Sequence, residues 1–173
     1  MTAVTVQGDR AQLVHDRPLP KLRDDYILVK PYAVALNPTD WKHLDYGRAQ
    51  NDCLIGCDYA GIVQEVGSAV TKPWRKGDAV CGVTHGSNLV EPEDGAFAEF
   101  IVAKGDIQIR KPPSITFAQA ATIPLGAITV GQGLYQKSLR LRLPTAQTKD
   151  DEFVLIYGGA TSVGGLAIQY AKL

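Results

Sequence analysis

Hydrophobic and polar positions alternate along most of the N-terminal two-thirds of the chain. Thr2 to Val6 alternates as a short strand, Gln12 to Val14 reads as its return, and Gly8-Asp9 supplies the turn between them. Arg17 to Leu22, carrying Pro18 and Pro20, is an extended connection. Tyr26 to Leu36 is a long β-rich run that ends at Asn37-Pro38-Thr39-Asp40, where turn formers gather. Thr39 or Asp40 can cap a short helix there, through Trp41, Lys42 and His43. Ile55 to Gly67 sets glycines and small residues into a strand, which predicts close backbone approach or a bend. Lys76 to Gly82 repeats a turn followed by an apolar strand, and Gly95 to Val102 alternates again. Short strands between turn signals predict a small barrel or sandwich.

After Lys111-Pro112-Pro113 the period changes from strand to helix. Ser114 or Thr116 can cap a helix through Phe117, Ala120, Ala121 and Ile123, which Pro124 interrupts. A second helix is expected from Leu125 through Ile128, Thr129 and Leu134 to Tyr135. Gln136 to Glu152 is a polar connection with Lys137, Arg140 and Arg142, then Lys149-Asp150-Asp151-Glu152. Phe153 to Tyr157 forms strand-like sequence that runs into Gly158-Gly159-Ala160-Thr161-Ser162-Val163-Gly164, and helical spacing follows in Leu166, Ala167, Ile168, Tyr170 and Ala171. Strand, tight turn and helix start together predict a βα corner for a dinucleotide. Glycines let backbone approach a pyrophosphate, and N–H groups at a helix N-terminus face the anion. The spacing departs from strict G-x-G-x-x-G at Ala160 and Ser162, so an ordinary glycine-rich loop is the alternative. Such a first strand needs a parallel neighbour on each side, and these would lie beyond Leu173. The chain is therefore expected to be a truncated piece, or to find those neighbours in another chain.

Composition narrows the class. The 173 residues are 45% hydrophobic, with 18 basic and 18 acidic side chains cancelling, so nothing asks for nucleic acid or an anionic membrane. The opening MTAVTVQGDRAQLVHD shows no leader pattern and no apolar run reaches membrane length, so a cytoplasmic protein is expected. Cys53, Cys57 and Cys81 are an odd number without framework spacing, as suits reduced thiols.

The segments VALNPTDWKH, IGCDYAGIVQEVG, KGDAVCG, GAFAEFIVA, AATIPLGAITVGQGLY and VLIYGGATSVGGLAIQYAKL together resemble the medium-chain dehydrogenase/reductase superfamily in order and spacing. NPTDWK, PLGAITVGQGLY and GGATSVGG look most like the fungal trans-acting enoyl reductases that serve polyketide synthases. The resemblance implies a mainly β GroES-like domain, a partly open barrel, over residues 1–120. The start of an α/β Rossmann domain would follow over 121–173, with linking helices and the first βα unit only.

It also implies a zinc-free member. Asn37 stands where zinc-dependent members have a cysteine, Cys57-Asp58 where they have His-Glu, and Ile123 to Thr129 holds no cysteine. The stretch between His85 and Glu99 has no cysteine cluster either, so the structural zinc lobe is expected to be absent. His15, His43 and His85 read as surface or hydrogen-bonding residues, and no metal is expected.

The implied chemistry is hydride delivery from NADPH to the β-carbon of an α,β-unsaturated acyl thioester carried on a polyketide synthase, then protonation at the α-carbon. By resemblance Thr39, Asp40, Trp41 and Lys42 border the cofactor, and Gly158, Gly159, Ala160, Thr161, Ser162, Val163 and Gly164 take its pyrophosphate. Lys42 is the candidate catalytic cation, and its plain reading is an exposed helix lysine. Asn37 and the run Leu125, Gly126, Ala127, Ile128, Thr129, Val130, Gly131 and Gln132 would meet substrate, with Thr129 as the polar catalytic candidate. The plainer readings are a turn asparagine and a packed helix. Asp58 is read as a structural hydrogen-bonding residue, Cys57 and Cys81 as small core residues, and Lys137 to Arg142 as a solvated loop. Competing functions are a quinone oxidoreductase or alkene reductase and, from another class, an inactive remnant or interaction module.

Overall fold

The computed structural model describes residues 1–137, 139–145 and 153–173. The chain divides into two compact units, Met1–Pro124 and Leu125–Leu173. In the first unit β1 (Ala3–Gln7) and β2 (Arg10–Val14) make an antiparallel hairpin with Gln7 opposite Arg10. Its two-residue turn begins at Gly8, whose φ of +64° suits glycine in a tight hairpin.

The larger sheet holds β3 (Tyr26–Ala35), β4 (Asp58–Val66), β5 (Ala79–Val83), β6 (Ile101–Lys104) and β7 (Ile109–Arg110). Its order is β6-β3-β4-β5-β7, every pair is antiparallel, and the sheet is open. The close approach expected between Ile55 and Gly67 is found at Gly61. The β3–β4 register shifts between Pro31 and Ala33, and a Cβ on Gly61 would stand 2.3 Å from the Lys30 carbonyl oxygen. Pro31 has no N–H to give at that irregularity, so the bulge falls where a ladder bond cannot form.

Both faces of this sheet are covered. On one, Ile27, Val29, Leu54, Tyr59, Val63, Trp74, Val80 and Ile101 form the main core. On the other, helix α2 (Phe117–Ala121) lays Ala120 and Ala121 against Ala60 and Cys81. Small residues on both sides of that contact let the helix lie close to the strands. Thr116 caps α2, its hydroxyl accepting from the Gln119 N–H at 3.1 Å, and Ser114 has no part in the cap. Pro124 does not merely interrupt the helical stretch. It opens α3 (Pro124–Gly131), a position where its missing N–H costs nothing, and a wider turn of helix continues over Gln132–Lys137.

Two polar pins hold the β unit. Gln108, fully buried, donates from Nε2 to the Val83 and Lys104 carbonyls at 3.1 and 3.0 Å and accepts from the Tyr59 hydroxyl at 3.0 Å. Gly82 makes room for it, since a Cβ there would overlap Gln108 Oε1. The segment between His85 and Glu99 is pinned by ions. Arg23 pairs with Asp94 and Glu91, Asn88 donates to Asp94, and the guanidinium lies 3.6 Å from the Tyr26 ring centre.

Three expectations need correction. The alternating run from Gly95 to Val102 becomes a strand only at Ile101, because the Ala96 and Phe97 N–H groups donate to the Ile55 carbonyl and the Phe97 carbonyl accepts from Val4. The short helix at the end of β3 is capped by Asn37, not by Thr39 or Asp40. Phe153 to Tyr157 joins no ladder among the described residues, and Phe153, Leu155 and Tyr157 are 98%, 96% and 102% exposed. Strand propensity alone does not make a strand; hydrogen-bonded neighbours do. The charged run 149–152 lies outside the described residues.

Tyr59→Phe, which leaves Gln108 Oε1 without its donor, is expected to cost about 1–2 kcal/mol in a denaturant melt. Gln108→Leu strands the Tyr59 hydroxyl and two carbonyls and should cost more, about 3 kcal/mol; equal losses would remove Gln108 as the pin. A second expectation concerns acid. Asp106 accepts from the Thr71 and Lys72 N–H groups and the Thr71 hydroxyl at 2.8–2.9 Å. These donors, the Lys72 N–H first, hold its carboxyl below the usual carboxylate range. Its folded value lies under its unfolded one, so its stabilisation is present above about pH 4 and is lost as pH falls through the folded value. Melts of wild type and Asp106→Asn should differ at neutral pH and converge in acid.

Candidate functional site

The site at the end of β3 is built by a change of element. Ala35 pairs with Asp58 across the ladder, Asn37 is extended with φ −126° and ψ 152°, and α1 (Pro38–Asp45) starts at once. Pro38 sits in the first turn, where its fixed φ suits a helix. The Asn37 carboxamide donates to Asp58 Oδ2 at 2.9 Å, and the Asn37 N–H donates to Asp40 Oδ2 at 2.8 Å. Two carboxylates therefore grip one residue, one through its side chain and one through its backbone.

Asp40 and Asp58 are both buried, at 6% and 1% exposure, and the Cys57 thiol lies beside them. Burial pushes the Asp40 carboxyl up, against the Asn37 N–H, the Cys57 thiol and His43, which favour its charged form. Burial and the charge on Asp40 push the Cys57 thiol up to about 12, although the Gly86 N–H opposes them. Cys57 is thus a thiol at neutral pH and a poor nucleophile. Cys53, Cys57 and Cys81 are all free and buried. Among the described residues no group of three His, Cys, Asp or Glu side chains could hold a metal ion.

The other face of α1 is open. Trp41 is half exposed, and Lys42 is exposed with its ammonium 5.5 Å from the Trp41 ring centre. Pro38, Thr39, Lys42, His43, Tyr46 and Arg48 line a recess of about 250 Å³. Tyr46 and Arg48 are not among the residues that the sequence singles out, and His43 reads there only as a surface or hydrogen-bonding residue. The signal for His43 and Tyr46 was there, since positions 38, 39, 42, 43 and 46 fall on one side of a helix.

In the second unit the glycine-rich turn is formed. Gly158 has φ +83°, and Thr161 caps α4 (Ser162–Tyr170), its hydroxyl accepting from the Gly164 N–H at 3.0 Å and donating to the Gly158 carbonyl at 2.8 Å. A Cβ on Gly164 would stand 2.1 Å from the Gly158 oxygen, so only glycine closes the turn. The N–H groups of Ser162 and Val163 precede the first intrahelical bond, from Gly165 to the Thr161 carbonyl. Backbone donors on an exposed turn without bulky side chains fit an anion such as a pyrophosphate.

The run Leu125 to Gln132 lies on α3 and the turn that follows it. Gly126 and Val130 are buried, and a Cβ on Gly126 would meet Leu166 of α4 at 2.6 Å. Ala127, Ile128 and Gly131 are part-buried, while Thr129 and Gln132 are exposed. The Thr129 hydroxyl donates to the Leu125 carbonyl at 2.7 Å, back along its own helix.

Residues 23–113 match the alcohol dehydrogenase GroES-like domain. The chain is 58% identical over 170 residues to the trans-enoyl reductase TOXD of Cochliobolus carbonum, covering 98% of this chain and 57% of that protein. The quinone oxidoreductase of Coxiella burnetii superposes with a TM-score of 0.74 at 31% identity, over 99% of this chain and 53% of the other. Mycobacterial Rv1454c complexed with NADPH superposes with a TM-score of 0.73 at 25% identity, over 99% and 50%. The chain spans about half the length of the relatives it matches. It belongs to the alcohol dehydrogenase GroES-like family of the medium-chain dehydrogenase/reductase superfamily.

Proposed function

We propose that this chain carries the GroES-like half and the first cofactor corner of an NADPH-dependent enoyl reductase that works with a polyketide synthase on acyl thioesters. The observation that carries the reading is the 58% identity to a trans-enoyl reductase along 98% of the chain. The domains fall as residues 1–120 and 121–173, the second being the start of the Rossmann domain.

Bound NADPH would supply the hydride for the β-carbon. The chain's own residues bind, orient and stabilise. Gly158 to Gly164 offer backbone N–H groups to the pyrophosphate, with Thr161 holding the turn in shape. Thr39, Trp41 and Lys42 border the cofactor from the open face of α1, and Asp40 supports them from the buried face through the Asn37 N–H. Asn37, bound at its amide nitrogen to Asp58 and capping α1, meets the nicotinamide ribose or the substrate. Lys42 places a cation near the oxygen that becomes an enolate, where charge appears in the transition state. Leu125 to Gln132 border the acyl group, with Thr129 as the polar member.

A second reading, NADPH-dependent quinone reduction, is favoured by the superposition on the Coxiella burnetii quinone oxidoreductase. The 173-residue chain should be given NADPH with a carrier-bound enoyl thioester or with free quinone, following NADPH oxidation. Oxidation with the quinone alone would replace the first reading with the second. Absence of saturable NADPH binding, read from Trp41 and Trp74 fluorescence, would favour the interaction module. Lys42→Met is expected to lower the rate on the order of a hundredfold while leaving NADPH binding in place. Gly164→Val should do the opposite, abolishing NADPH binding because its side chain collides with the Gly158 carbonyl.

A further inference from the structure

The recess on the open face of α1 is lined by two cations, Lys42 and Arg48, and by the His43 imidazole, and no acidic side chain lines it. Among the described residues none of the three stands in an ion pair. Of the two acids on the helix, Asp40 is buried and bound to the Asn37 N–H, and Asp45 is exposed but does not line the recess. The whole chain has no net charge, so this is a local concentration of positive charge and not a general field.

The recess is built by the way α1 ends. Gly47 takes φ +61°, its N–H donates to the Leu44 carbonyl at 3.0 Å, and the Arg48 N–H donates to the His43 carbonyl at 2.8 Å. This pair of bonds is a Schellman cap, and it folds Arg48 back over the last turn beside His43. Aromatic faces then hold the cations without cancelling them, Arg48 over Tyr46 at 5.7 Å and Lys42 over Trp41 at 5.5 Å. The carbonyl end of the helix accounts for basic residues in its last turn. It does not account for Arg48, which is added from beyond the helix and lines the same recess as the Thr39 hydroxyl-bearing side chain.

We infer that this recess binds a phosphate ester, held by Arg48 and His43. A volume of about 250 Å³ admits a phosphate and the carbons attached to it. Arginine gives a phosphate two parallel N–H bonds, and an imidazole N–H adds one more. Two sources carry such a group here, the cofactor and the phosphopantetheine arm that carries an acyl thioester. The second source rests on the reductase reading; the phosphate site itself does not.

The test uses the 173-residue chain with 4′-phosphopantetheine, pantetheine and NADPH as probes, read by calorimetry and Trp41 fluorescence. 4′-Phosphopantetheine is expected to saturate, and pantetheine to bind at least about tenfold more weakly, the loss of one charge-assisted interaction. Arg48→Ala, an exposed change that leaves the melt unaltered, should weaken the phosphate probe about tenfold, and Arg48→Lys should restore part of it. Competition between NADPH and 4′-phosphopantetheine would assign the recess to the cofactor, and simultaneous binding would assign it to the carrier arm. Equal binding of both pantetheine forms, or a phosphate affinity indifferent to Arg48→Ala and His43→Gln, would overturn the site. Neither result depends on turnover, so a chain that binds phosphate and reduces nothing would sink the reductase reading alone.

Discussion

The open face of α1 depends on one constraint, the hold that two buried carboxylates have on Asn37. Asp58 takes the side chain and Asp40 the backbone N–H, at 2.9 and 2.8 Å. Asp58 is itself fixed in the centre of the sheet, with Ala35 of β3 on one side and Val83 of β5 on the other. The direction in which α1 leaves the sheet is therefore set by groups that cannot move without breaking strand pairing. Thr39, Lys42 and His43 inherit that direction.

The same hold decides the electrostatics underneath. Two acids and a thiol packed at the start of β4 would be unstable if all were charged. The thiol keeps its proton, and N–H groups from Asn37 and Gly86 meet the Asp40 carboxyl and the Cys57 sulfur. A metal ligand of this type has to give up that proton. The donors here are instead arranged to hold one another, with the Asn37 amide turned to Asp58. The inner face of α1 carries the buried Asp40 carboxyl, while Lys42 and Asp45 are exposed.

Sequence pattern went furthest where the determining interactions are local or periodic. The Gly8-Asp9 hairpin, the long β3 run, the glycine at a close approach and the Thr161-capped turn could all be read because each follows from a few neighbouring residues. The cap of α1 was misplaced by two or three residues. Asn, Pro, Thr and Asp can each serve at a helix start, and only the Asp40 carboxyl reaching back to Asn37 decides between them. Nor could the burial of Asp40 be read, since a polar residue in a short polar helix looks solvated until Cys57 and Gly86 are brought in from other parts of the chain. Arg48 escaped for a related reason. It lies past the helix, and the cap that returns it is a matter of Gly47 φ.

The contrast between the glycine turn and the sequence before it shows how far local chemistry carries a glycine-rich corner. Every bond that shapes the turn lies between Gly158 and Gly165: the Thr161 hydroxyl to Gly158 and from Gly164, and the Gly165 N–H to the Thr161 carbonyl. Gly164 can press against the Gly158 carbonyl because neither carries a side chain. Such a turn forms at once with its helix. A parallel strand has no such internal bonds, and its N–H and C=O groups wait for neighbours from distant parts of a sheet. Phe153, Leu155 and Tyr157 accordingly remain exposed while the N-terminal end of α4 is already in shape. The shape of the turn is therefore independent of the stretch that precedes it.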